Sequence, residues 1–202
     1  MGILGSGDVG QSLASGWSRH GHECRIGTRD VNRPVLALFD TASTEEVADW
    51  ADIVVIAVAG VAAEQLVRDV ADRLAGKVVI DTTNPLDFSS GSPQLFVGTT
   101  DSLGERLQHA APDAQVVKAY NIVGNAWMVD PVIVDGPPTM MVAGNDEDAK
   151  ATVLDLLEHT GWDALDIGDI TASRWLEPMA LAWVAYGMRS KSWTHAFRLL
   201  RG

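Results

Sequence analysis

A glycine-rich loop near the start of the chain carries the clearest chemical signal in the sequence. Its residues, Gly5-Ser6-Gly7-Asp8-Val9-Gly10, follow a short apolar segment and precede a stretch with helical periodicity. This spacing is the dinucleotide-binding fingerprint: the first glycine permits a tight turn, the second admits a pyrophosphate, and the third lets helix and strand pack closely. Free N–H groups at the helix start then bind the phosphates. We therefore expect a pyrophosphate site formed by Gly5, Ser6, Gly7, Asp8 and Val9.

The residues that end the second predicted strand favour NADP(H) over NAD(H). NAD-specific folds place an acidic residue there, roughly 20 residues after the loop, to bind the ribose 2′-hydroxyl. Here the segment reads Ile26-Gly27-Thr28-Arg29, without a carboxylate at the strand end. The Thr28 hydroxyl and the Arg29 guanidinium suit a 2′-phosphate, and Arg33 can assist from the following loop. We expect Asp30 to point away or to orient Arg29.

Three further segments follow strands, at the edge of an open parallel sheet where ligands bind. They are Ala57-Val58-Ala59, Thr82-Thr83-Asn84-Pro85 and Ala119-Tyr120-Asn121. Small residues at 57–59 would let the ribose and nicotinamide approach the backbone. Asn84 can bind the nicotinamide carboxamide or ribose beside a turn stiffened by Pro85, and Asn121 lies where a second substrate would meet the nicotinamide. The alternative is that Asn84 and Asn121 only cap turns.

No pattern in the sequence indicates nucleophilic catalysis or a metal site. There is no Ser-His-Asp arrangement and no ligand cluster, so we predict neither a catalytic residue nor a bound metal. Lys118 could serve as a proton donor, but its spacing from Asn121 along a strand places it on the opposite face.

Composition excludes several classes of protein. The chain has 202 residues, of which 47% are hydrophobic, enough for one well-buried core but not for two large domains. A net charge of −12 argues against nucleic-acid binding. No apolar run approaches the roughly 20 residues that span a bilayer. The single cysteine, Cys24, fits a reducing compartment, so we expect a cytoplasmic location without membrane contact.

Short apolar segments alternate with amphipathic ones, which predicts an α/β fold with a doubly wound, mostly parallel Rossmann sheet. We expect strands at 3–4, 23–27, 52–58, 77–81, 115–119, 139–142 and 164–167, and helices at 11–20, 61–74, 102–110, 146–160 and 171–200. The turn at 135–138 predicts an NADP-binding domain over 1–136 and a small C-terminal α/β extension over 137–202. We expect the extension to complete the acceptor pocket and to contribute a subunit interface. A Rossmann chain ordinarily has one or two more residues before the loop, so we also expect a slightly truncated start.

Five segments together resemble the coenzyme F420-dependent NADP reductases. They are Ile3-Leu4-Gly5-Ser6-Gly7, Gly27-Thr28-Arg29-Asp30, Asp81-Thr82-Thr83-Asn84-Pro85, Val117-Lys118-Ala119-Tyr120-Asn121 and Leu176-Glu177-Pro178-Met179-Ala180. The resemblance covers nearly the whole chain. It implies hydride transfer between nicotinamide carbon 4 of NADP(H) and carbon 5 of a deazaflavin, coenzyme F420. Such a transfer requires positioning and exclusion of water rather than an acid or base.

Two alternatives stay open for the acceptor. The first is an NADPH-dependent flavin or ferric reductase on the same fold, and the second is a non-enzymatic NADP(H)-sensing module. Residues 174–202 carry five cationic residues and one acidic residue, which would suit the anionic tail of a deazaflavin or a dimer contact. The apolar, Trp-rich C-terminal region predicts a homodimer.

Replacement of Arg29 by alanine tests the choice of NADP(H). Because the guanidinium would pair with the 2′-phosphate, we expect Arg29→Ala to raise the KM for NADPH far more than the KM for NADH. Steady-state kinetics with both nucleotides measures this difference, and equal changes would contradict the assignment.

Overall fold

Strands and helices alternate along the chain, and the computed structural model describes all of residues 1–202. The strands are β1 (Gly2–Leu4), β2 (Arg25–Gly27), β3 (Asp40–Ala42), β4 (Ile53–Ile56), β5 (Val78–Asp81), β6 (Leu86–Asp87), β7 (Gln94–Leu95), β8 (Gln115–Lys118), β9 (Thr139–Gly144) and β10 (Asp163–Asp166). The helices are α1 (Asp8–Arg19), α2 (Thr44–Trp50), α3 (Gly60–Asp69), α4 (Ala71–Leu74), α5 (Leu103–Ala110), α6 (Glu147–His159) and α7 (Ser173–Ser190).

Eight strands form one sheet in the order β10-β9-β8-β5-β4-β1-β2-β3, and β6 pairs with β7 outside it. All neighbours in the large sheet are parallel except β8 and β9. From β1 the chain builds outward in one direction through β2 and β3 and in the other through β4, β5 and β8. This arrangement confirms the predicted doubly wound, mostly parallel Rossmann sheet, with a crevice beyond the carboxyl ends of β1 and β4.

Successive residues of the central strands point to opposite faces of the sheet, and each face has its own core. One core joins α1 and α6 to the strand residues Ile3, Val55, Ile80 and Val117. The other joins α2, α3 and α5 to the strand residues Leu4, Val54, Val79 and Val116. Burial on both faces explains why these strands are apolar at consecutive positions instead of alternating with polar residues.

Several elements differ from the sequence prediction. The helix predicted over 61–74 is divided into α3 and α4, because the backbone at Val70 has φ −118° and ψ 10°. The helix predicted over 171–200 ends at Ser190, where Lys191 adopts a left-handed φ of 55°. Strand β3 and helix α2 were not predicted. Helix α2 begins with a capping box between Ser43 and Glu46, a signal that the sequence does contain.

The last residues of the chain fold back against the sheet. The Thr139 N–H donates to the Phe197 carbonyl at 2.9 Å, and the Trp183 indole donates to the His195 carbonyl at 2.8 Å. The predicted division near residue 136 falls in the loop before β9, and β9 and β10 extend the same sheet. None of the helices combines the length and apolar character that a membrane crossing requires.

Substitution of Gly10 tests the packing of the glycine loop. A Cβ at Gly10 would lie 2.0 Å from the Gly5 carbonyl oxygen, a backbone atom that cannot move aside. We expect Gly10→Ala to lower the free energy of unfolding by about 1–3 kcal/mol, despite the better helix propensity of alanine. Urea unfolding measures this loss. Gly98→Ala is the matched control, since a Cβ there meets nothing within 4 Å; equal stability of the two variants would contradict the prediction.

Candidate active site

A cleft of about 580 Å³ opens beyond the carboxyl ends of β1, β2 and β4. Nine of the predicted site residues line it, namely Gly5, Ser6, Gly7, Thr28, Arg29, Arg33, Ala57, Val58 and Ala59. Asp8 and Val9 form the first turn of α1, directly after the loop. The cleft is also lined by Thr44 and Gln65, for which the sequence held no signal because only tertiary packing brings α2 and α3 beside the loop. The structure therefore gathers most of the predicted nucleotide residues around one opening.

The backbone of the glycine loop fits the approach of a phosphate group. Gly5 has a φ of +133°, and a Cβ there would lie 2.2 Å from the Ala57 carbonyl oxygen. A Cβ at Gly7, in contrast, would meet nothing within 4 Å, although Gly7 lines the cleft. Gly5 is thus required by the fold itself, whereas the space at Gly7 is open to a ligand.

Three polar side chains connect the glycine loop to the end of β2. The Arg33 guanidinium donates to the Ser6 carbonyl at 3.2 Å and to the Ser6 hydroxyl at 2.8 Å. The Ser6 hydroxyl lies 3.0 Å from the Thr28 hydroxyl. Since Thr28 is buried, with 8% of its surface exposed, this cluster fixes the loop against β2. Arg33 itself is exposed and lies over the loop.

Arg29 is exposed and makes no hydrogen bond or ion pair within the chain. Asp30 does not orient it: the Asp30 carboxylate accepts a hydrogen bond from the Asn32 N–H at 3.0 Å and shapes the following turn. The Arg29 guanidinium at the cleft therefore keeps its full capacity to bind an anion.

Asn84 and Asn121 lie beyond the ends of β5 and β8 and hydrogen-bond to each other. The Asn84 amide donates to the Asn121 carbonyl at 2.7 Å, and the Asn121 amide donates to Asn84 Oδ1 and to the Leu176 carbonyl, both at 3.0 Å. Asn121 is 3% exposed, and its Oδ1 has no hydrogen-bond partner. Pro85 is buried in the turn that follows. The structure thus brings the two predicted asparagines together at one sheet edge, next to α7.

A buried ionic cluster, which the sequence prediction missed, lies beside this asparagine pair. Lys118 Nζ lies 2.6 Å from Asp81 Oδ2 and 2.9 Å from Glu177 Oε1, and it donates to the Thr83 carbonyl at 2.9 Å. The Glu177 carboxylate also accepts the N–H groups of residues 103 and 104, both at 2.9 Å, at the start of α5. All three charged side chains are at most 2% exposed.

Comparison with known proteins assigns the chain to a family. The family model for coenzyme F420-dependent NADP oxidoreductases matches residues 1–85. A crystal structure from Arthrobacter sp. FB24, provisionally assigned as an F420-dependent NADP reductase, is 36% identical and superposes with a TM-score of 0.93, covering 99% of this chain and 98% of that one. The chain belongs to this family.

Two curated relatives extend the comparison. The F420-dependent NADP reductase of Methanocaldococcus jannaschii is 27% identical over 81% of this chain and 73% of its own length. The rat metalloreductase STEAP3 is 29% identical over 90% of this chain but only 36% of its own length. The chain thus spans about a third of the length of the metalloreductases that it matches.

In this member of the NADP oxidoreductase family, Lys118 remains charged inside the protein. Burial by itself would lower the pKa of Lys118, but the carboxylates of Asp81 and Glu177 outweigh burial and raise the pKa above its ordinary value of 10.5. The ammonium group donates a hydrogen bond to the Thr83 carbonyl and lies within ion-pair distance of both carboxylates. The stabilisation that the charged Lys118 gives the folded state is fully present at pH values below the pKa of Lys118 in the unfolded chain. It is lost only as the pH rises through the higher pKa that Lys118 has in the folded chain.

The position of Lys118 corrects the expectation that its side chain points away from Asn121. Lys118 contacts Glu177 and Asn121 contacts Leu176, so both side chains reach neighbouring residues of α7. The cause is the turn after β8, where Tyr120 takes a left-handed φ of 61° and breaks the alternation of the strand. The sequence did contain a signal for this pairing. Each of the two apolar strands ends in a charged residue, Asp81 in β5 and Lys118 in β8.

Replacement of Lys118 by methionine tests the buried cluster. The change keeps the volume but leaves two buried carboxylates without their cation, so we expect the free energy of unfolding to fall by about 3–5 kcal/mol at neutral pH. Urea unfolding measures the loss. Lys150→Met is the control, because the Lys150 side chain is only 4% exposed but its partners Glu147 and Asp166 are 82% and 33% exposed and remain hydrated. A loss at Lys118 no greater than at Lys150 would contradict the prediction.

Proposed function

We propose that the chain transfers a hydride between NADP(H) and coenzyme F420 or a closely similar deazaflavin. The observation that carries this proposal is the full-length likeness to the Arthrobacter protein, which extends through α7 and the C-terminal residues as well as the nucleotide-binding half. The open cleft, which Arg29 and Arg33 line, supports the nucleotide part of the proposal.

The residues around the cleft fit NADP(H). Thr28, Arg29 and Arg33 would hold the 2′-phosphate through one hydroxyl and two guanidinium groups. The loop from Gly5 to Val9 would hold the pyrophosphate with backbone N–H groups at the start of α1. NADPH, when bound, supplies the hydride from nicotinamide carbon 4.

The other predicted residues would position the nicotinamide half and the acceptor. The backbone at Ala57, Val58 and Ala59 carries small or branched apolar side chains, which leave room for a ribose and keep water out. Asn84 and Asn121, beyond β5 and β8, offer amide groups at the neighbouring edge of the sheet, and Pro85 stiffens the turn. No proton donor is required at the reacting carbons, so the chain contributes orientation and a dry environment.

An NADPH-dependent flavin or ferric reductase is the second candidate. The observation that favours it is the 29% identity with the rat metalloreductase STEAP3 over 90% of this chain. Both functions use the same nucleotide cleft and differ only in the acceptor.

The C-terminal extension, residues 137–202, is proposed to complete the acceptor pocket and to form a homodimer interface. Helix α7 and the residues after it leave large apolar side chains in solvent, namely Trp175, Tyr186, Met188 and Trp193. A second copy that covers them would remove an apolar surface that a monomer rarely exposes. We place this enzyme in the cytoplasm, in keeping with its single free cysteine.

Oxidation of NADPH by different acceptors tests the function. We expect purified chain to oxidise NADPH when F420 is added and to reduce F420 in equal amount, because one hydride and one proton convert F420 to its dihydro form. The loss of absorbance of both oxidised F420 and NADPH measures the reaction. Flavin mononucleotide and a ferric chelate are the comparison acceptors; turnover with one of these and none with F420 would favour the second candidate.

Gly7→Ala provides the control for this assay. Because a Cβ at Gly7 meets no protein atom, we expect the variant to fold with unchanged thermal stability. The added methyl group would occupy the space that the pyrophosphate needs, so NADPH binding and turnover should both fall by about tenfold or more. Undiminished turnover would show that the reaction does not depend on this loop.

A further inference from the structure

We infer that Glu177 is a positioning residue, which ties α7 and α5 to the strand ends that carry Asn84 and Asn121. The inference rests on the proposed function, since it assigns the nicotinamide half of NADP(H) to that edge of the sheet. Glu177 does not line the nucleotide cleft and is only 2% exposed.

The first step is the contact between Glu177 and the start of α5. One carboxylate oxygen accepts the Leu103 N–H and the other accepts the Gly104 N–H, each at 2.9 Å. These are two of the N–H groups that a helix leaves without an internal partner, and the helix dipole favours a negative charge there. Gly104 is required for this approach, since a Cβ would lie 2.4 Å from the Ser173 hydroxyl of α7.

The second step leads from Glu177 to the turn after β5. Lys118 Nζ links the Glu177 carboxylate to the Thr83 carbonyl and to Asp81. Asp81 in turn accepts the backbone N–H of Thr83 at 2.8 Å and its hydroxyl at 2.7 Å. Thr83 is therefore held through its carbonyl, its N–H and its side chain, and the residue that follows it is Asn84.

The third step leads from Asn84 back to α7. Asn84 hydrogen-bonds Asn121, and the Asn121 amide donates to the carbonyl of Leu176, the residue before Glu177. A continuous path thus runs from α7 through Lys118, Thr83, Asn84 and Asn121 and returns to α7. The noncovalent links in it are 2.7–3.0 Å long. The asparagine pair cannot move relative to α7 without breaking one of these links.

As a consequence, different side chains hold the two parts of the binding site in place. The adenosine side of the cleft is held by Ser6, Thr28 and Arg33, which share no hydrogen bond with Glu177. Loss of the Glu177 charge should therefore disturb contacts to the nicotinamide half and leave contacts to the adenosine half intact. A residue with a general structural role would weaken both halves together.

Glu177→Gln tests this inference. Adenosine 2′,5′-bisphosphate reports on the adenosine half alone, whereas NADP⁺ reports on both halves. By isothermal titration calorimetry we expect NADP⁺ affinity to fall about five- to tenfold and the affinity for the bisphosphate to change less than about twofold. In the F420 assay we expect kcat to fall by about 10- to 100-fold, with less change in the KM for NADPH.

Glu105→Gln is the matched control. Glu105 also joins α5 to α7, through two contacts of its carboxylate with Arg174 at 2.6 and 2.8 Å, but it does not touch the strand ends. We expect the two ligands to bind the Glu105→Gln variant as they bind the wild type. Equal weakening of both ligands in Glu177→Gln, or the same selective loss in Glu105→Gln, would overturn the inference.

A second variant covers the case in which Glu177→Gln does not fold. Glu177→Asp keeps the charge beside Lys118 but is too short to reach both Lys118 and the α5 N–H groups. We therefore expect the affinity for NADP⁺ to fall less than in Glu177→Gln, again with little change in the affinity for the bisphosphate. No selective loss in a folded Glu177→Asp variant would overturn the inference. Wild-type chain that binds NADP⁺ but does not reduce F420 would overturn the proposed acceptor alone, because the calorimetric comparison needs no acceptor.

Discussion

The need to neutralise one buried ammonium group determines how the second half of the molecule is assembled. Lys118 is fully buried at the end of β8, and an unpaired charge in that environment would cost several kcal/mol. The charge is compatible with the fold only if β5 contributes Asp81, α7 contributes Glu177 and the turn after β5 presents a carbonyl. Since Glu177 also caps α5, this single constraint fixes two helices and two strand ends relative to one another.

The turn that carries Asn84 also packs against the start of α3. A Cβ at Gly60, the first residue of α3, would lie 2.0 Å from the Asn84 carbonyl oxygen, so α3 packs directly on the turn that the ionic cluster holds. Helix α3 in turn lines the cleft with Gln65 and Leu66. The two halves of the site are therefore separate in their polar contacts but share one rigid contact between helix and turn.

Local signals in the sequence were sufficient to predict most of the residues that line the cleft, but not the ionic cluster. The loop from Gly5 to Gly10 and the segment Thr28-Arg29 act through spacing and residue type, both of which are visible in a linear chain, and the structure places them around one cleft. Pairing of Lys118 with Glu177 joins residues 59 positions apart, and the contact of Asn121 with the same helix depends on the left-handed turn at Tyr120; no local pattern predicted either. The segment from Leu176 to Ala180 contributed to the family resemblance, yet the role of Glu177 as a buried cap became visible only from the fold.

The proposed binding of a polyanionic nucleotide by an acidic protein would have to rely on local rather than overall charge. The net charge is −12, so the long-range field opposes the approach of NADP(H). The cationic C-terminal segment does not offset this at the cleft, because Arg174, Arg198 and Arg201 are engaged with Glu105, the Asp135 carbonyl and Asp163. Arg29 and Arg33 are the cationic residues that line the cleft. The acidic residues Asp30 and Asp69 line the cleft as well, so the proposed contact with the 2′-phosphate depends on direct pairing with the two guanidinium groups rather than on a net positive field.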